Sequence, residues 1–195
     1  MLSLKNSLAI LKKTNALIEG HFVLSSGRHS GQYVQCAKLL SKPNYSKKIC
    51  ISLSKRIKKR YKNINLILAP AIGGIVIGYE IGRLLNLETI FCERVKKKFQ
   101  LRRGFVIPKN SNVLIVEDVI TTGKSSLECV KIIKKFKAKL IGFACIIDRS
   151  NKKELKIKKK IVSQIKLDIP TFKKNKLPPN LKNTSITKPG SRYLK

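Results

Sequence analysis

Two adjacent carboxylates followed by a hydroxyl-rich glycine turn are the densest chemical signal in this sequence. Glu117 and Asp118 end an apolar run that starts at Asn112, and the turn 121–123 leads into a helical pattern. The first N–H groups of a helix have no partner within the helix and lie at the positive end of its dipole, so they favour a bound phosphate. Carboxylates accept hydrogen bonds from sugar hydroxyls, and we expect both to face the same crevice. The segment therefore predicts a site for a phosphorylated sugar.

Two familiar nucleotide-binding motifs each fail at one residue. The segment 123–125 ends like a nucleoside-triphosphate loop, but Asp118 stands where that loop needs its first glycine. Gly73 and Gly78 have the required spacing, yet Tyr79 follows in place of the lysine, and the same glycines depart from the dinucleotide fingerprint. A helix cap with two surface acids is the simpler alternative. It is disfavoured because consecutive carboxylates closing a buried strand are costly without a ligand.

The charge balance limits the class of partner without identifying it. The chain has 195 residues, and 43 Lys and Arg against 10 Asp and Glu give a net charge of +33. Such a charge attracts anions of every kind, from small phosphates to nucleic acid. The cations are spread along the whole chain without the interleaved aromatic residues that stack bases, so we expect no specific nucleic-acid site. The lysine runs at 152–160 and 173–176 are predicted to be solvated.

Cysteine usage and the amino terminus favour a cytoplasmic protein that does not span a membrane. The five cysteines are odd in number, scattered and set in apolar runs, which is typical of reduced core thiols. Residues 1–13 predict an amphipathic helix rather than a signal peptide, and no apolar run approaches the roughly 18 to 20 residues that cross a bilayer. With only two histidines, we expect no protein metal site.

The elements that position these residues follow from apolar periodicity. Four short apolar runs alternate with helical segments, which is typical of a parallel sheet covered on both faces. We therefore predict a doubly wound α/β fold, with ligands bound outside the carboxyl ends of the strands. The predicted strands are 66–69, 89–92, 112–116 and 140–147; the predicted helices are 2–17, 41–62, 75–85 and 124–136; and 22–24 and 33–36 predict a hairpin.

The whole chain is predicted to form one domain with two additions. Residues 41–169 hold the α/β core, and residues 1–40 supply an amino-terminal helix and hairpin. From residue 170 to 195 the composition shifts to Pro, Asn and Lys, so we expect an irregular tail on the surface.

Four segments resemble a known enzyme family. Residues 117–125 resemble the 5-phosphoribosyl 1-diphosphate motif of the type I phosphoribosyltransferases. Residues 19–30, 101–105 and 188–192 are similar to the orotate phosphoribosyltransferases within that group, and the likeness spans about residues 8–192. The resemblance implies a type I phosphoribosyltransferase fold in which the amino-terminal helix and hairpin form a hood over the orotate site.

The resemblance also implies a reaction, a cofactor and an assembly. Orotate and 5-phosphoribosyl 1-diphosphate would give orotidine 5′-phosphate and diphosphate, a step of pyrimidine (UMP) biosynthesis. Mg²⁺ would be held mostly by substrate and water, which agrees with the lack of a metal motif. The active unit would be a homodimer.

The resemblance assigns the substrate-binding residues one by one. Glu117 and Asp118 would meet the ribose hydroxyls, the turn from Thr121 the 5′-phosphate, and the backbone of 69–74 the diphosphate. Thr121 and Arg149 would bind orotate, because a guanidinium fork suits a planar carboxylate. The implied phosphoribosyl-binding residues are Glu117, Asp118, Val119, Ile120, Thr121, Thr122, Gly123, Lys124 and Ser125.

The segment 94–103 resembles the family's mobile catalytic loop, which reaches across the homodimer to the neighbouring site. The implied catalytic residues are Asp118, Arg94 and Lys98, although Lys96 and Lys97 are equally available as the loop lysine. Many relatives also carry a histidine in this loop, and this chain does not.

Two other functions stay open from the sequence. A purine phosphoribosyltransferase would share residues 113–126 but would not need the hairpin or Arg149. An RNA-binding regulator built on the same fold would agree with the positive charge.

Overall fold

The computed structural model describes residues 1–24, 26–150, 155–187 and 189, which form two sheets and their covering helices. The helices are α1 (Leu4–Lys13), α2 (Cys36–Leu40), α3 (Pro43–Arg60), α4 (Gly73–Leu85), α5 (Lys124–Lys135) and α6 (Pro179–Lys182), with a 3₁₀ turn at Lys174–Lys176. The strands are β1 (Leu17–Val23), β2 (His29–Val34), β3 (Leu66–Pro70), β4 (Glu88–Val95), β5 (Lys98–Leu101), β6 (Asn112–Ile120), β7 (Lys139–Asp148), β8 (Ile161–Lys166), β9 (Thr171–Phe172) and β10 (Ile186–Thr187).

The larger sheet has the order β5-β4-β3-β6-β7-β8, and only β5 is antiparallel to its neighbour. Its strands are short and apolar because both faces are covered, and β3 is buried along its whole length. The chain first adds β4 on one side of β3 and then places β6 on the other side. Strand order therefore reverses between β3 and β6, where open α/β sheets bind ligands. The predicted doubly wound parallel sheet is confirmed.

The pleat of β6 divides the core into two clusters. Leu114 and Val116 pack on the side of α3 and α4, whereas Val113 and Ile115 pack on the side of α5. Successive side chains of a strand point to opposite faces, so neighbouring residues at the end of β6 also serve different faces.

The smaller sheet, which we call the hood, has the order β10-β1-β2-β9 and joins both ends of the chain. The predicted irregular tail thus supplies two strands, β9 and β10, that pair with the predicted hairpin. Arg28 Nε on the hairpin donates to Thr171 Oγ1 at 2.8 Å. The buried rings of His21 and His29 lie 2.6 Å apart, Nε2 to Nδ1, and His21 Nδ1 lies 3.2 Å from the Thr184 carbonyl oxygen.

Helix α1 packs against the α/β body, although we expected it over the ligand site with the hairpin. The Leu2 N–H donates to Ser52 Oγ of α3 at 2.8 Å, and Gln164 Nε2 of β8 donates to Ser7 Oγ at 2.9 Å. The hood is therefore made of strands alone. Among the described residues, none of the helices combines the length and the apolar character needed to cross a bilayer.

The five cysteines are buried and unbridged, as expected for core thiols. Cys92 of β4 and Cys129 of α5 have their sulfur atoms 3.4 Å apart. This contact joins the strand that leads into the segment 94–103 to the helix that follows the predicted phosphate turn.

Candidate active site

A crevice between the ends of β3 and β6 holds the carboxylate of Asp118 against the turn 71–74. A Cβ built at Gly73 would lie 2.7 Å from Asp118 Oδ2, so only glycine lets the turn approach the carboxylate this closely. A Cβ at Gly74 would lie 3.1 Å from the Val116 carbonyl oxygen. The carboxylate accepts a hydrogen bond from the Val119 N–H at 2.9 Å, while burial raises the pKa of Asp118 above its ordinary value. The two loops predicted to bind ribose and diphosphate therefore meet at one acid.

The two adjacent carboxylates do not share a face, contrary to our expectation. Asp118 points to the crevice beside Gly73, whereas Glu117 is buried on the α5 side and accepts a short hydrogen bond from Ser126 Oγ. The pleat separates them, because neighbouring residues on a strand point to opposite faces. Burial raises the pKa of Glu117 to about 7, and the Ser126 hydrogen bond and nearby Asp118 act less strongly. Glu117 is thus placed to hold α5 against β6.

The turn before α5 has the geometry of a phosphate cradle. Gly123 is the residue before the helix and has a φ of 72°, and a Cβ there would lie 2.6 Å from the side chain of Ile157. Gly123 has no side chain to cap the helix, and the Lys124 N–H donates a long hydrogen bond to Thr122 Oγ1 at 3.4 Å. The first N–H groups of the helix lie at the positive end of its dipole. Thr121 and Thr122 are exposed beside them. The predicted residues Val119 and Ile120 contribute backbone, since Ile120 is buried and its carbonyl oxygen accepts from the Arg149 N–H at 2.8 Å.

The other end of the crevice holds the predicted orotate arginine. Burial lowers the pKa of Arg149, and its guanidinium interacts electrostatically with Tyr33 and Cys36. Arg149 Nε is buried and has no hydrogen-bond acceptor among the described residues. Burial raises the pKa of the Tyr33 hydroxyl, and the nearby charge of Asp118 acts on it less strongly. This hydroxyl donates a hydrogen bond to Gln35 Oε1 at 2.8 Å. The structure thus brings Tyr33, Asp118 and Arg149 together, while Val34 is buried in the core.

The predicted loop 94–103 forms a β-hairpin, made of β4 and β5, in this structure. Lys96 and Lys97 occupy its turn with φ values of 44° and 66°, a left-handed conformation that costs about 1–2 kcal/mol per residue outside glycine. This hairpin could not be predicted from local sequence, because such turns normally need Asn and Gly. The hairpin is held where it is by side chains, since Glu93 on β4 receives hydrogen bonds from Arg102 and Arg103 that lower the pKa of Glu93.

Arg94 and Lys98 lie on the hairpin and do not join the crevice within this chain. Arg94 Nη1 donates to the Lys97 carbonyl oxygen at 2.7 Å and to Glu128 Oε2 of α5 at 2.9 Å. Its guanidinium also lies 4.0 Å from the centre of the Phe99 ring. In the parts of the chain that the structure describes, no hydrogen bond or ion pair joins the hairpin to Asp118.

Two contacts of the phosphate turn lie in a segment that we predicted to be solvated. The Lys156 N–H donates to the Thr122 carbonyl oxygen at 3.1 Å, and Ile157 is buried over Gly123. Leu155 and Ile157 interrupt the lysine run, and those two apolar residues were the available signal. Residues 152–154 of the run lie outside the described residues, as do Ser25 and the segment 190–192 that contributed to the family resemblance.

Comparisons with known proteins show the family to which the chain belongs. The family model described as the phosphoribosyl transferase domain matches residues 37–179. The chain is 42% identical over 183 residues to the orotate phosphoribosyltransferase of Caldicellulosiruptor bescii, covering 94% of this chain and 95% of that one. It is 41% identical to the orotate phosphoribosyltransferase of Parvibaculum lavamentivorans, with 94% of each chain covered. The crystal structure of orotate phosphoribosyltransferase from Aeropyrum pernix superposes with a TM-score of 0.69 at 22% identity, over 82% of this chain and 92% of that one.

Proposed function

Because this chain belongs to the phosphoribosyl transferase family and its curated relatives act on orotate, we infer that it is an orotate phosphoribosyltransferase. It transfers the 5-phosphoribosyl group of 5-phosphoribosyl 1-diphosphate to orotate and releases diphosphate. The product, orotidine 5′-phosphate, belongs to pyrimidine biosynthesis. We place this activity in the cytoplasm, in keeping with five buried, unbridged cysteines.

The half-buried guanidinium of Arg149 is the observation that supports orotate as the acceptor. Its Nε is buried without an acceptor among the described residues and lies in the neighbourhood of Asp118 and Tyr33. A buried N–H without an acceptor is costly, and a planar carboxylate offers a guanidinium two parallel hydrogen bonds. Orotate carries such a carboxylate, whereas adenine, hypoxanthine and uracil do not. A purine acceptor would leave this cation unpaired.

Loss of orotate absorbance tests the assignment directly. The purified protein is mixed with 5-phosphoribosyl 1-diphosphate, Mg²⁺ and orotate, and uracil serves as the matched control because it is the same ring without the carboxylate. We expect turnover of orotate and turnover of uracil lower by at least about 100-fold, as for a site whose buried polar group is left unpaired. Comparable rates with uracil or with adenine would contradict the role of Arg149.

In the proposed reaction the residues of the crevice bind and orient the two substrates, and the hood excludes water. Asp118 accepts hydrogen bonds from the ribose hydroxyls, and the N–H groups and hydroxyls of 121–125 bind the 5′-phosphate. Arg149 aligns orotate so that its ring nitrogen meets the anomeric carbon in line with the leaving diphosphate. Positive charge develops on the ribose as that bond breaks, and the buried Asp118 lies near it. The hood covers the orotate end of the crevice and limits the entry of water.

Mg²⁺ fits this site as an ion that arrives with the diphosphate. Among the described residues, His, Cys, Asp and Glu side chains form no group of three that would cage a metal. Mg²⁺ keeps several waters and binds one or two carboxylates together with substrate phosphates, and Asp118 in the crevice is the carboxylate available for that role. When bound, the ion offsets the charge of the leaving diphosphate.

A homodimer is supported by an apolar face next to the crevice. Ile72, Val76 and Tyr79 are 86%, 52% and 66% exposed; Ile72 is the residue just before α4, and Val76 and Tyr79 follow it at helical spacing on α4. Large apolar side chains this exposed mark an interaction surface, and a second copy of the chain would cover them. Arg94 and Lys98 do not reach the crevice within their own chain, so we propose that in the dimer the hairpin of one subunit acts on the crevice of the other.

Subunit complementation tests the proposed sharing of the site. One variant carries Asp118→Asn, and the other carries Lys96→Ala, Lys97→Ala and Lys98→Ala. Arg102 and Arg103 are kept, because they hold the hairpin through Glu93. If the hairpin acts on the partner, mixed dimers contain one intact crevice facing one intact hairpin, and activity returns on subunit exchange. No return of activity, with exchange demonstrated by a tag on one variant, would show that the hairpin acts within its own subunit.

A further inference from the structure

A groove of about 670 Å³ lies between the β4–β5 hairpin and α5, outside the crevice described above. Its volume falls within the range of about 300–1,000 Å³ that small-molecule sites occupy. We call it the lysine groove after the six cations that line it. These are Lys97, Lys98, Lys124, Lys131, Lys135 and Lys156.

The charge of the lysine groove is not neutralised by the protein. Glu128 is the one acid that lines it, and both of its carboxylate oxygens already receive hydrogen bonds from Arg94, at 2.9 and 3.4 Å. The ion pairs found among the described residues include none of the six lysines. Six like charges around one concave surface raise the local potential and concentrate anions there. The groove therefore favours a ligand with several negative charges close together.

The floor of the lysine groove is apolar, which a purely ionic ligand would not need. Phe99 of β5 lines it together with Leu127 and Ile132 of α5, and all three are only partly buried. Leu127 and Ile132 lie on the same face of the helix as Lys124, Lys131 and Lys135. A ligand that satisfies both parts carries a chain of phosphates and a flat apolar body. A nucleoside triphosphate is the class that does so.

The outer half of the lysine groove is separate from the phosphate turn. Lys131 and Lys135 follow Lys124 by seven and eleven residues on the same helix. At 1.5 Å per residue they lie about 10 and 16 Å farther along the axis. A ligand on Lys131 and Lys135 therefore does not need the cradle at 121–123.

We propose that the lysine groove binds a nucleoside triphosphate, with the phosphates on the lysines and the base on the floor formed by Phe99, Leu127 and Ile132. The bound nucleotide holds Lys97 and Lys98 in the position seen here. It thereby withholds the hairpin from the partner's crevice and inhibits transfer. This inhibitory effect rests on the proposed catalytic role of the hairpin, whereas the binding itself does not. By linkage, substrates that draw the hairpin away must weaken nucleotide binding by the same factor.

Calorimetric binding measurements test whether the lysine groove is a nucleotide site, independently of any inhibition. Adenosine triphosphate and inorganic tripolyphosphate are titrated by calorimetry into the wild type, into Lys131→Gln/Lys135→Gln, and into the control Lys134→Gln/Lys139→Gln. The control removes the same charge from exposed lysines outside the groove. We expect the groove variant to bind adenosine triphosphate at least about tenfold more weakly and the control to bind within twofold of wild type. If both variants bound adenosine triphosphate equally weakly, the loss would come from net charge alone, and the proposed site would be overturned.

The two probes distinguish the nucleotide from its phosphates. The apolar floor predicts that adenosine triphosphate binds about tenfold more tightly than tripolyphosphate, because burial of a base removes apolar surface from water. Equal affinity would overturn the assignment of a nucleotide. Since these titrations contain no orotate, they decide the binding site even if the protein fails to turn over orotate.

Steady-state inhibition tests the capture of the hairpin. With free Mg²⁺ held constant, adenosine triphosphate should inhibit the wild type and the Lys134→Gln/Lys139→Gln control and raise their apparent KM for 5-phosphoribosyl 1-diphosphate, as the linkage requires. The Lys131→Gln/Lys135→Gln variant should keep the wild-type KM in the absence of nucleotide and should need at least about tenfold more adenosine triphosphate for the same inhibition. Inhibition that is equal in all three proteins and competitive with 5-phosphoribosyl 1-diphosphate would place the nucleotide in the crevice and overturn the proposal. Groove binding without inhibition would overturn the capture of the hairpin.

Discussion

Replacement of Gly73 by alanine perturbs the contact on which the crevice depends. The added Cβ would lie 2.7 Å from Asp118 Oδ2 and 2.8 Å from Asp118 Cγ, where ordinary contact begins at 3.4 Å. The carboxylate or the turn 71–74 must therefore move by about 0.7 Å. Both parts are proposed to contact substrate, so neither movement leaves the site unchanged.

The expected cost of Gly73→Ala is large in catalysis and small in stability. A misplacement of about 1 Å can cost on the order of 100-fold in rate, so we expect kcat/KM to fall by about 30- to 100-fold. That fall corresponds to about 2–2.7 kcal/mol of transition-state stabilisation. Residue 73 begins α4 without a positive φ, and alanine is favoured over glycine in helices by up to about 1 kcal/mol. This gain offsets part of the steric cost in the free energy of unfolding.

Orotate absorbance and urea unfolding, measured on the same preparation, separate the two effects. Gly31→Ala is the matched control, because a Cβ at Gly31 would meet only Leu181 Cδ2 at 3.6 Å. We expect Gly31→Ala to keep kcat/KM within about twofold, as for a substitution without a steric consequence. A Gly73→Ala protein with wild-type kcat/KM would show that Asp118 and the turn do not act together, which would refute the assignment of the crevice.

Four further outcomes are expected. Arg149→Lys should raise KM for orotate by about 10- to 150-fold, the equivalent of 1.5–3 kcal/mol, while KM for 5-phosphoribosyl 1-diphosphate changes little; an equal rise in both would contradict the bidentate contact. Asp118→Asn should abolish most turnover while the circular dichroism spectrum is retained, and a near-normal rate would remove its ribose role. Because the pKa of Glu117 is raised to about 7, the folded state holds its proton more tightly than the unfolded state, and stability falls as pH rises from about 4.5 to 7. Glu117→Gln should therefore gain free energy of unfolding relative to wild type between pH 5 and pH 8, and a constant difference would contradict the raised pKa. Binding of random RNA should collapse between low and physiological salt, and salt-resistant binding would support the regulatory alternative.

The parallel core could be predicted because its sequence signals are local and consistent. Helix α4 ends at the predicted residue 85 and begins two residues before its predicted start, and each of the four predicted apolar runs lies within an observed strand. Buried parallel strands are uniformly apolar, so their identity does not depend on distant partners. The sites at the strand ends followed from the same pattern, since the topology brings the carboxyl ends of β3, β6 and β7 to one edge.

The parts that were missed depend on contacts far along the chain. Strand β8 alternates only weakly between buried and exposed residues and follows a lysine run, so periodicity alone did not predict a strand there, although the segment was assigned to the α/β core. Strands β9 and β10 have two residues each and exist because the amino-terminal hairpin pairs with them. The β4–β5 hairpin turns at two lysines and depends on ion pairs to Glu93 that no local pattern announces.

The separation of Glu117 from Asp118 could have been predicted. Strand geometry alone assigns alternate residues to opposite faces, and Ser126 lies in the first turn of the following helix. We predicted that both carboxylates bind the ribose hydroxyls because they are chemically alike. Their alternate positions on the strand give them different neighbours.

The buried Nε of Arg149 would also link the lifetime of the protein to the supply of its substrate. A buried N–H without an acceptor among the described residues lowers the stability of the empty fold, and a carboxylate bound there as proposed would recover that loss. A ligand that binds only the folded state stabilises it by RT ln(1 + [L]/Kd), about 2.7 kcal/mol at 100 times Kd. Proteases act on the unfolded fraction, so the same ligand slows degradation. With orotate bound at Arg149, the amount of enzyme in a cell would therefore follow the supply of orotate.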